Sequence, residues 1–440
     1  MSRPNSSTGP PPVPWYSHPR FPLLKRHFGV TPPPVGQSPP LSVERESPRP
    51  RELRMFVNAV YYPNWSIYKQ QPPSSLKLNQ ISHVYYSFAW LRADGTVYLS
   101  DEYADTQIEV DGVNGCLAAF RKLKQQHTHL KVILSVGGGG KGSDNFKEVA
   151  ADMNKREMFA YTARELCIQH GLDGIDIDWE HPSATCGQNY LALLDTLRRY
   201  LPKPFLVTTA LPCGEWALHP LPLATCMSYL DFLNLMAYDF SGPWSPLSGH
   251  HAQLYTPRTP CSDAAAASAD AGISYVRSQG VPAHKIILGI PAYGRSFLGA
   301  EEAGEIYEGC GGDEGTIEYR ELPERGATEH VDMALGAAYC KGGRGGWVSY
   351  DNVQTVKMKA AYVKEQGLGG VFYWTGTGDK SGDEGGPWWR LVLRGCIASG
   401  EGGGGGYWGR GWGCWEGGWG IGNGREKGNW RWKDRGRSRR

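Results

Sequence analysis

Residues 172–180 read Leu-Asp-Gly-Ile-Asp-Ile-Asp-Trp-Glu, and the alternation within that stretch decides both the fold and the chemistry. Along a β-strand side chains point to opposite faces in turn. Asp176, Asp178 and Glu180 therefore share one face, while Ile175, Ile177 and Trp179 share the other. An apolar face packed on helices and an acidic face turned inward fit a strand of a closed barrel. Three carboxyls in a row are costly unless they share protons and hydrogen bonds. Like charges at this spacing push a pKa upward, which keeps a glutamic acid protonated near neutral pH. Such a row serves no stabilising purpose, so it points to catalysis. Glu180 lies at the C-terminal end of the strand, where barrel enzymes carry their chemistry. A carboxylate metal site is the competing reading. The neighbouring His181 falls on the opposite parity from the acids, and no cofactor or metal is expected.

Outward from this strand, seven further short β-rich apolar runs recur: FVNAVYY (56–62), HVYYSFA (83–89), KVILSVG (131–137), FLVTTAL (205–211), LDFLNLMAYD (230–239), KIILGIPAYG (285–294) and GGVFYW (369–374). Amphipathic segments separate several of them. NGCLAAFRKLKQQ (114–126) is one, KREMFAYTARELCIQHG (155–171) closes on Gly171, and GQNYLALLDTLRRYL (187–201) stops before Pro202. Strands buried on both faces and alternating with helices predict a parallel sheet. Eight such units predict an α/β fold, a (β/α)8 TIM barrel, with an open doubly wound sheet as the alternative. Residues 295–347 are too long for one crossover. They contain a β-like run (TIEYREL, 316–322) and a helix-like run (VDMALGAAYC, 331–340), which predict a small α+β insertion between strands seven and eight, at one rim of the active-site mouth.

Composition narrows the function. The chain has 440 residues, 20% of them charged, and a formal net charge of +2. Nothing in that balance calls for nucleic acid, an acidic substrate or an anionic membrane, and a neutral polymer suits it. Sixteen Trp and 23 Tyr supply core volume and potential stacking platforms for sugar rings. The ten cysteines are scattered, with neither CxxC pairs nor zinc spacing, and read as mostly free thiols in a reducing compartment. No stretch approaches 18 apolar residues, so no membrane span is expected. The first thirty residues lack the apolar run of a signal peptide. A cytoplasmic or unconventionally released protein is expected, with secretion as the alternative. Residues 1–53 form a Pro-rich extension expected to be disordered, 54–395 the catalytic barrel, and 396–440 a Gly/Trp/Arg-rich low-complexity tail.

GLDGIDIDWE (171–180) resembles the DxxDxDxE signature of glycoside hydrolase family 18, the chitinases and their relatives. LSVGG (134–138) is similar to the family's SxGG motif and LMAYDF (235–240) to its MxYD element. GIPAYGRSF (289–297) resembles the segment leading into the family's insertion, and GGVFYWTG (369–376) its strand-eight end. The resemblance spans roughly residues 55 to 395 and is strongest to fungal-type members. It implies a chitinase that hydrolyses β-1,4 linkages between N-acetylglucosamine units by substrate-assisted retaining catalysis, an exception to the two-carboxylate scheme. Glu180 would be general acid and then general base. Asp178 would orient the substrate's 2-acetamido group, Asp176 would share a proton with Asp178, and Tyr238 would donate its hydroxyl to the acetamido carbonyl. Trp374 would lie under the sugar, with Tyr62 and Phe88 closing the floor around it. Met236, Asp239, Trp216, Tyr293 and Arg295 are further cleft candidates, Ser135, Gly137 and Gly138 would pack beneath the site, and Asp173 would be structural. The implied partner is chitin or a chitooligosaccharide, bound by a monomer. Many relatives carry a Trp directly after SxGG, whereas this chain continues Gly139-Gly140-Lys141-Gly142, a change that bears on substrate length. The alternatives on the same fold are a non-hydrolytic chitin-binding lectin and an endo-β-N-acetylglucosaminidase.

Overall fold

The computed structural model describes residues 56–260 and 262–380; the expected N-terminal extension (1–53), the barrel end from 381 to 395 and the tail (396–440) lie outside them. Eight strands run β1 Val57–Pro63, β2 His83–Leu91, β3 Lys131–Gly137, β4 Gly174–Asp178, β5 Leu206–Pro212, β6 Phe232–Met236, β7 Ile286–Pro291 and β8 Gly370–Trp374. Each pairs in parallel with the next, and β8 pairs in parallel with β1. The sheet closes, so the open doubly wound alternative is ruled out. All eight β-rich runs became barrel strands.

Helices follow on the outside: α1 Cys116–Gln126, α2 Met153–His170, α3 Gly187–Tyr200, α4 Ala269–Ser278 and α5 Val353–Glu365. Their ends are set locally. The Asp152 side chain accepts from the Lys155 amide at the start of α2, and Gly171, at φ 68°, ends that helix in the left-handed conformation. Asn352 and Thr355 form a reciprocal capping box at the start of α5.

Burial separates into two layers. Outside the strands, Ile175, Ile177 and Trp179 join the large strand–helix core, with Trp179 stacked on Phe146 at 5.3 Å. Inside the barrel, Val57, Ala59, Tyr61, Tyr85, Ile133, Ile287 and Phe372 form a second cluster. β4 thus has the expected parity. β1 corrects an expectation. Tyr62 is not on the barrel floor but in the outer layer, edge-on to Phe120 of α1 at 5.1 Å, with its hydroxyl donating to the Gln71 carbonyl. Adjacent residues on a strand face opposite ways, so Tyr61 faces in. Asp173, just before β4, accepts from the Val132 amide at 2.8 Å and pairs with Lys124 and Lys131, a structural tie at the bottom of the barrel.

Between β7 and α5 an antiparallel five-stranded sheet is inserted, in the order Thr316–Glu318, Tyr293–Phe297, Gly346–Tyr350, Ala337–Gly343, Thr328–Asp332. The helix-like run 331–340 is instead a hairpin, with Thr328–Asp332 paired to Ala337–Gly343. Val331, Leu335 and Ala338 fall at helical spacing, but turn chemistry overrides that pattern. Asp332 Oδ1 accepts from the amides of Ala334 and Leu335, and Gly336 takes φ 61°. The insertion has its own small core of Phe297, Ala300 and Trp347.

One glycine governs how the barrel mouth is filled. A Cβ at Gly289 of β7 would lie 2.7 Å from the Leu235 carbonyl oxygen, 2.7 Å from Phe372 Cζ and 2.9 Å from Tyr238 Cε1. Gly289→Ala is therefore expected to lose about 1–3 kcal/mol of stability through overpacking, read as a lower urea midpoint; an unchanged midpoint would show that the Tyr238 ring has room to move.

Candidate active site

The deepest acid is held by its neighbours on other strands. Register places Ser135 of β3 and Thr208 of β5 beside Asp176. Ser135 Oγ and the Tyr61 hydroxyl donate to Asp176 Oδ2, both at 2.8 Å, and Thr208 Oγ1 donates to Oδ1 at 2.7 Å. Asn234 Nδ2 stands 3.5 Å from Oδ1 and also donates to the Tyr61 oxygen, while Tyr85 donates to Asn234 Oδ1. Burial raises the Asp176 pKa, and the donors from Thr208, Tyr61 and Ser135 oppose the rise. Asp176 and Asp178 are successive inward acids, and the Asp176 charge is one of the causes that raise Asp178. The donors from four other strands occupy both Asp176 oxygens.

Asp178 is one step higher and 3% exposed. Its Oδ1 is buried without a hydrogen-bond partner among the described residues. Burial, then the charges of Glu180 and Asp176, push its pKa well above the carboxylate range. Burial and then the Asp239 charge raise Glu180 to about 7. The pair thus keeps a proton near neutrality, with Glu180 at the mouth. The Glu180 amide donates to Ser143 Oγ at 2.8 Å, and that hydroxyl donates to the Gly138 carbonyl at 2.9 Å. Ser143 thereby ties the glycine-rich loop after β3 to the backbone that carries the acid.

Tyr238 follows β6. Burial, then neighbouring Tyr293 and the acids, push its phenol well above the ordinary value, so it keeps its proton as a donor. Asp239, at φ 59°, makes a two-pronged ion pair with Arg295, both contacts at 2.8 Å. Burial opposes ionisation of Asp239, but the His251 ring, whose Nδ1 approaches Oδ1 to 3.5 Å, and the paired Arg295 outweigh it and hold the carboxyl well below its usual range. Arg295 also donates to Thr316 Oγ1 at 2.6 Å, so the insertion contributes a wall of the site.

These groups converge on one cavity of about 250 Å³, lined by Tyr61, Asp178, Glu180, Met236, Tyr238, Asp239, Tyr293, Arg295, Thr316 and Trp374. A second cavity of about 160 Å³ adjoins it through Tyr293, Thr316 and Trp374 and adds Trp65, Lys69, Gln71 and Glu318 among others. Most expected cleft residues are therefore brought together. Three stand elsewhere. Tyr62 is in the outer core, and Phe88 lies beside the cavity, stacked on Trp374 at 5.8 Å. Trp216 is 70% exposed on the rim, edge-on to His181. Ser135 serves as a donor to Asp176 rather than as packing alone. Tyr61, Thr208, Asn234, Ser143 and Thr316 belong to the site without having been singled out. Tyr61, Thr208 and Asn234 lie within the expected β-rich runs, but only the pairing of the strands brings them to Asp176.

The profile of Glycosyl hydrolases family 18 matches residues 57–379. Chitinase 1 of Aphanocladium album is 37% identical over 354 residues, which span 75% of this chain and 83% of the relative. Endochitinase 1 of Metarhizium robertsii is 36% identical over 353 residues, with the same shares covered. Among solved structures, a chitinase from Bacillus thuringiensis superposes with a TM-score of 0.72 at 24% identity, covering 78% of this chain and 70% of that one. A chitinase from Cycas revoluta in complex with (GlcNAc)3 gives 0.66 at 27% identity, covering 78% and 99%. With a closed barrel, an acid row at the end of β4 and this profile over its described length, the chain belongs to glycosyl hydrolase family 18.

Proposed function

We propose that this protein is a chitinase that cleaves β-1,4 linkages between N-acetylglucosamine units, with Glu180 as acid and base and the substrate's own acetamido oxygen as nucleophile. The observation that carries the reading is the pairing of a proton-holding Glu180 with the unpartnered Oδ1 of Asp178 in one cavity. That buried oxygen suits an acetamido N–H. Among the described residues the one other carboxyl lining the cavity, Asp239, is locked by Arg295, so none of them offers a free carboxylate to attack a sugar from the opposite face, as a two-carboxylate glycosidase requires.

In this scheme Glu180 gives its proton to the glycosidic oxygen as the bond from C1 breaks. The acetamido carbonyl oxygen bonds to C1, forming an oxazolinium ion whose N–H is accepted by Asp178. Tyr238 donates to that carbonyl oxygen and Trp374 packs against the sugar face. Glu180, now a carboxylate, takes a proton from water, which opens the ring at C1 with net retention and restores the acetamide. Asp176 acts from below as a positioning residue, its hydrogen bonds from Tyr61, Ser135 and Thr208 fixing the height of β4 beneath Asp178. The names of the fungal relatives and the trisaccharide in the Cycas revoluta complex support chitin and its oligomers as the substrate class. A lectin on this fold has no need of a protonatable Glu180.

Release of product from a fluorogenic chitobioside tests the reading. Glu180→Gln is expected to cut turnover by roughly 10²–10⁴-fold while oligosaccharide still binds; hydrolysis near the parental rate would remove Glu180 from the mechanism. The alkaline limb of the pH–rate profile is expected near 7, where Glu180 loses the proton it must donate. Because the Asp239 charge helps to raise Glu180, Asp239→Asn should move that limb to lower pH, and a limb that stays or moves upward would contradict the assignment.

A further inference from the structure

The cavities at the barrel mouth follow one another in a line. The first shares Tyr293, Thr316 and Trp374 with the second. The second shares Gln71 and Thr377 with a third, of about 110 Å³, which Arg320 also lines. Glu180 lines the first cavity and neither of the others. Its proton goes to the oxygen on C1 of the sugar held there, so the second cavity takes units attached at that sugar's other end, toward the non-reducing terminus. Thr316 and Glu318 mark the direction. They are two residues apart on one strand of the insertion, on the same face and about 7 Å from each other.

At the end of the second cavity away from Glu180, its two walls are tied together. One wall is the segment after β1 and the other is the insertion. Lys69 Nζ donates to Glu318 Oε1 at 2.9 Å, across 249 positions of sequence. Glu318 Oε2 lies 2.8 Å from Arg320 Nε. With the Gln71 amide turned so that its oxygen faces the guanidinium, that oxygen accepts from both terminal nitrogens of Arg320 at 2.6 Å. The Gln71 backbone is itself anchored, because its carbonyl accepts from the Tyr62 hydroxyl at 2.8 Å. A single exposed ion pair holds little, and Lys69 is 55% exposed. Here Glu318 faces two cations and Arg320 faces two acceptors, so each member fixes the next. A neutral sugar passing between them would have to part opposite charges and could offer only hydroxyls in return.

We infer that Lys69, Glu318, Arg320 and Gln71 form a clasp that ends the glycan groove beyond the second cavity and makes the protein prefer non-reducing chain ends to chain interiors. The inference rests on the chitinase reading and names the part of a chitin chain that the same site takes. A chain end stops against the clasp. An interior segment must break it to reach Glu180.

The test is made in the Glu180→Gln protein, so that binding is read without turnover. Calorimetry compares chitohexaose with chitohexaose whose non-reducing O4 and O6 carry a bulky benzylidene acetal, a stand-in for the continuing chain. With the clasp intact the cap is expected to weaken binding roughly fivefold or more, the scale of parting a few surface contacts. In Lys69→Ala/Arg320→Ala the two oligomers should bind within about twofold of each other, while Lys69→Arg keeps the original ratio. The ratio cancels any contact that Lys69 itself makes to a sugar. Sodium chloride at about 1 M screens exposed charges, so it should shrink the ratio with the clasp intact and leave the double variant unchanged. A cap without effect on the intact clasp, or an equal effect with and without it, would overturn the clasp. Absence of hydrolysis by the parental enzyme would instead count against the chitinase reading, and the capped-to-uncapped ratio would still decide the clasp.

Discussion

The buried carboxyl of Asp176 is the constraint on which the site depends. A carboxyl with no exposure is expensive in a low-dielectric interior unless its oxygens are satisfied. Here Tyr61 of β1, Ser135 of β3, Thr208 of β5 and Asn234 of β6 converge on it from across the barrel. The network fixes the height and facing of β4 relative to four other strands. Because successive inward residues rise by about 7 Å, Asp178 and Glu180 follow as steps from the closed floor to the open mouth. Removing one of the four donors would leave a buried oxygen short of a partner, and the loss would reach the acid through the strand.

That stepwise arrangement separates the carboxyls by environment. Asp176 is surrounded by donors, Asp178 has an unpartnered buried oxygen, and Glu180 is raised to about 7 by burial and by the charge of Asp239. Asp239 can hold that charge because the insertion supplies Arg295 against it. The insertion therefore tunes the acid through an ion pair, in addition to walling the cavity with Tyr293 and Thr316.

Much of this was legible in the sequence because it rests on short-range periodicity. The eight strands, the inward parity of the acids and the Gly171 cap all follow from local pattern, and the family motifs mark the same strands and add Trp374 to the site. What was not legible depends on partners far apart in the chain. Two consecutive tyrosines, 61 and 62, leave the parity of β1 open until the Asp176 hydrogen bond assigns it. Ser135, Thr208 and Asn234 become donors only through strand register. In the insertion, helical spacing over 331–340 competed with an Asp332-capped turn and a pairing strand, and the pairing won. Trp216 read as a cleft aromatic, but its place on the rim depends on a Gly214 fold-back that no local pattern specifies.

The central claim is that the nucleophile comes from the substrate while Glu180 supplies the proton. The most direct test compares kcat/KM for fluorogenic chitobiosides whose acetamido methyl carries zero, one, two or three fluorines. Fluorine draws electron density from the carbonyl oxygen, so the account requires the rate to fall steeply along the series. Rates independent of fluorination would place the nucleophile on the protein or on water, and would contradict it.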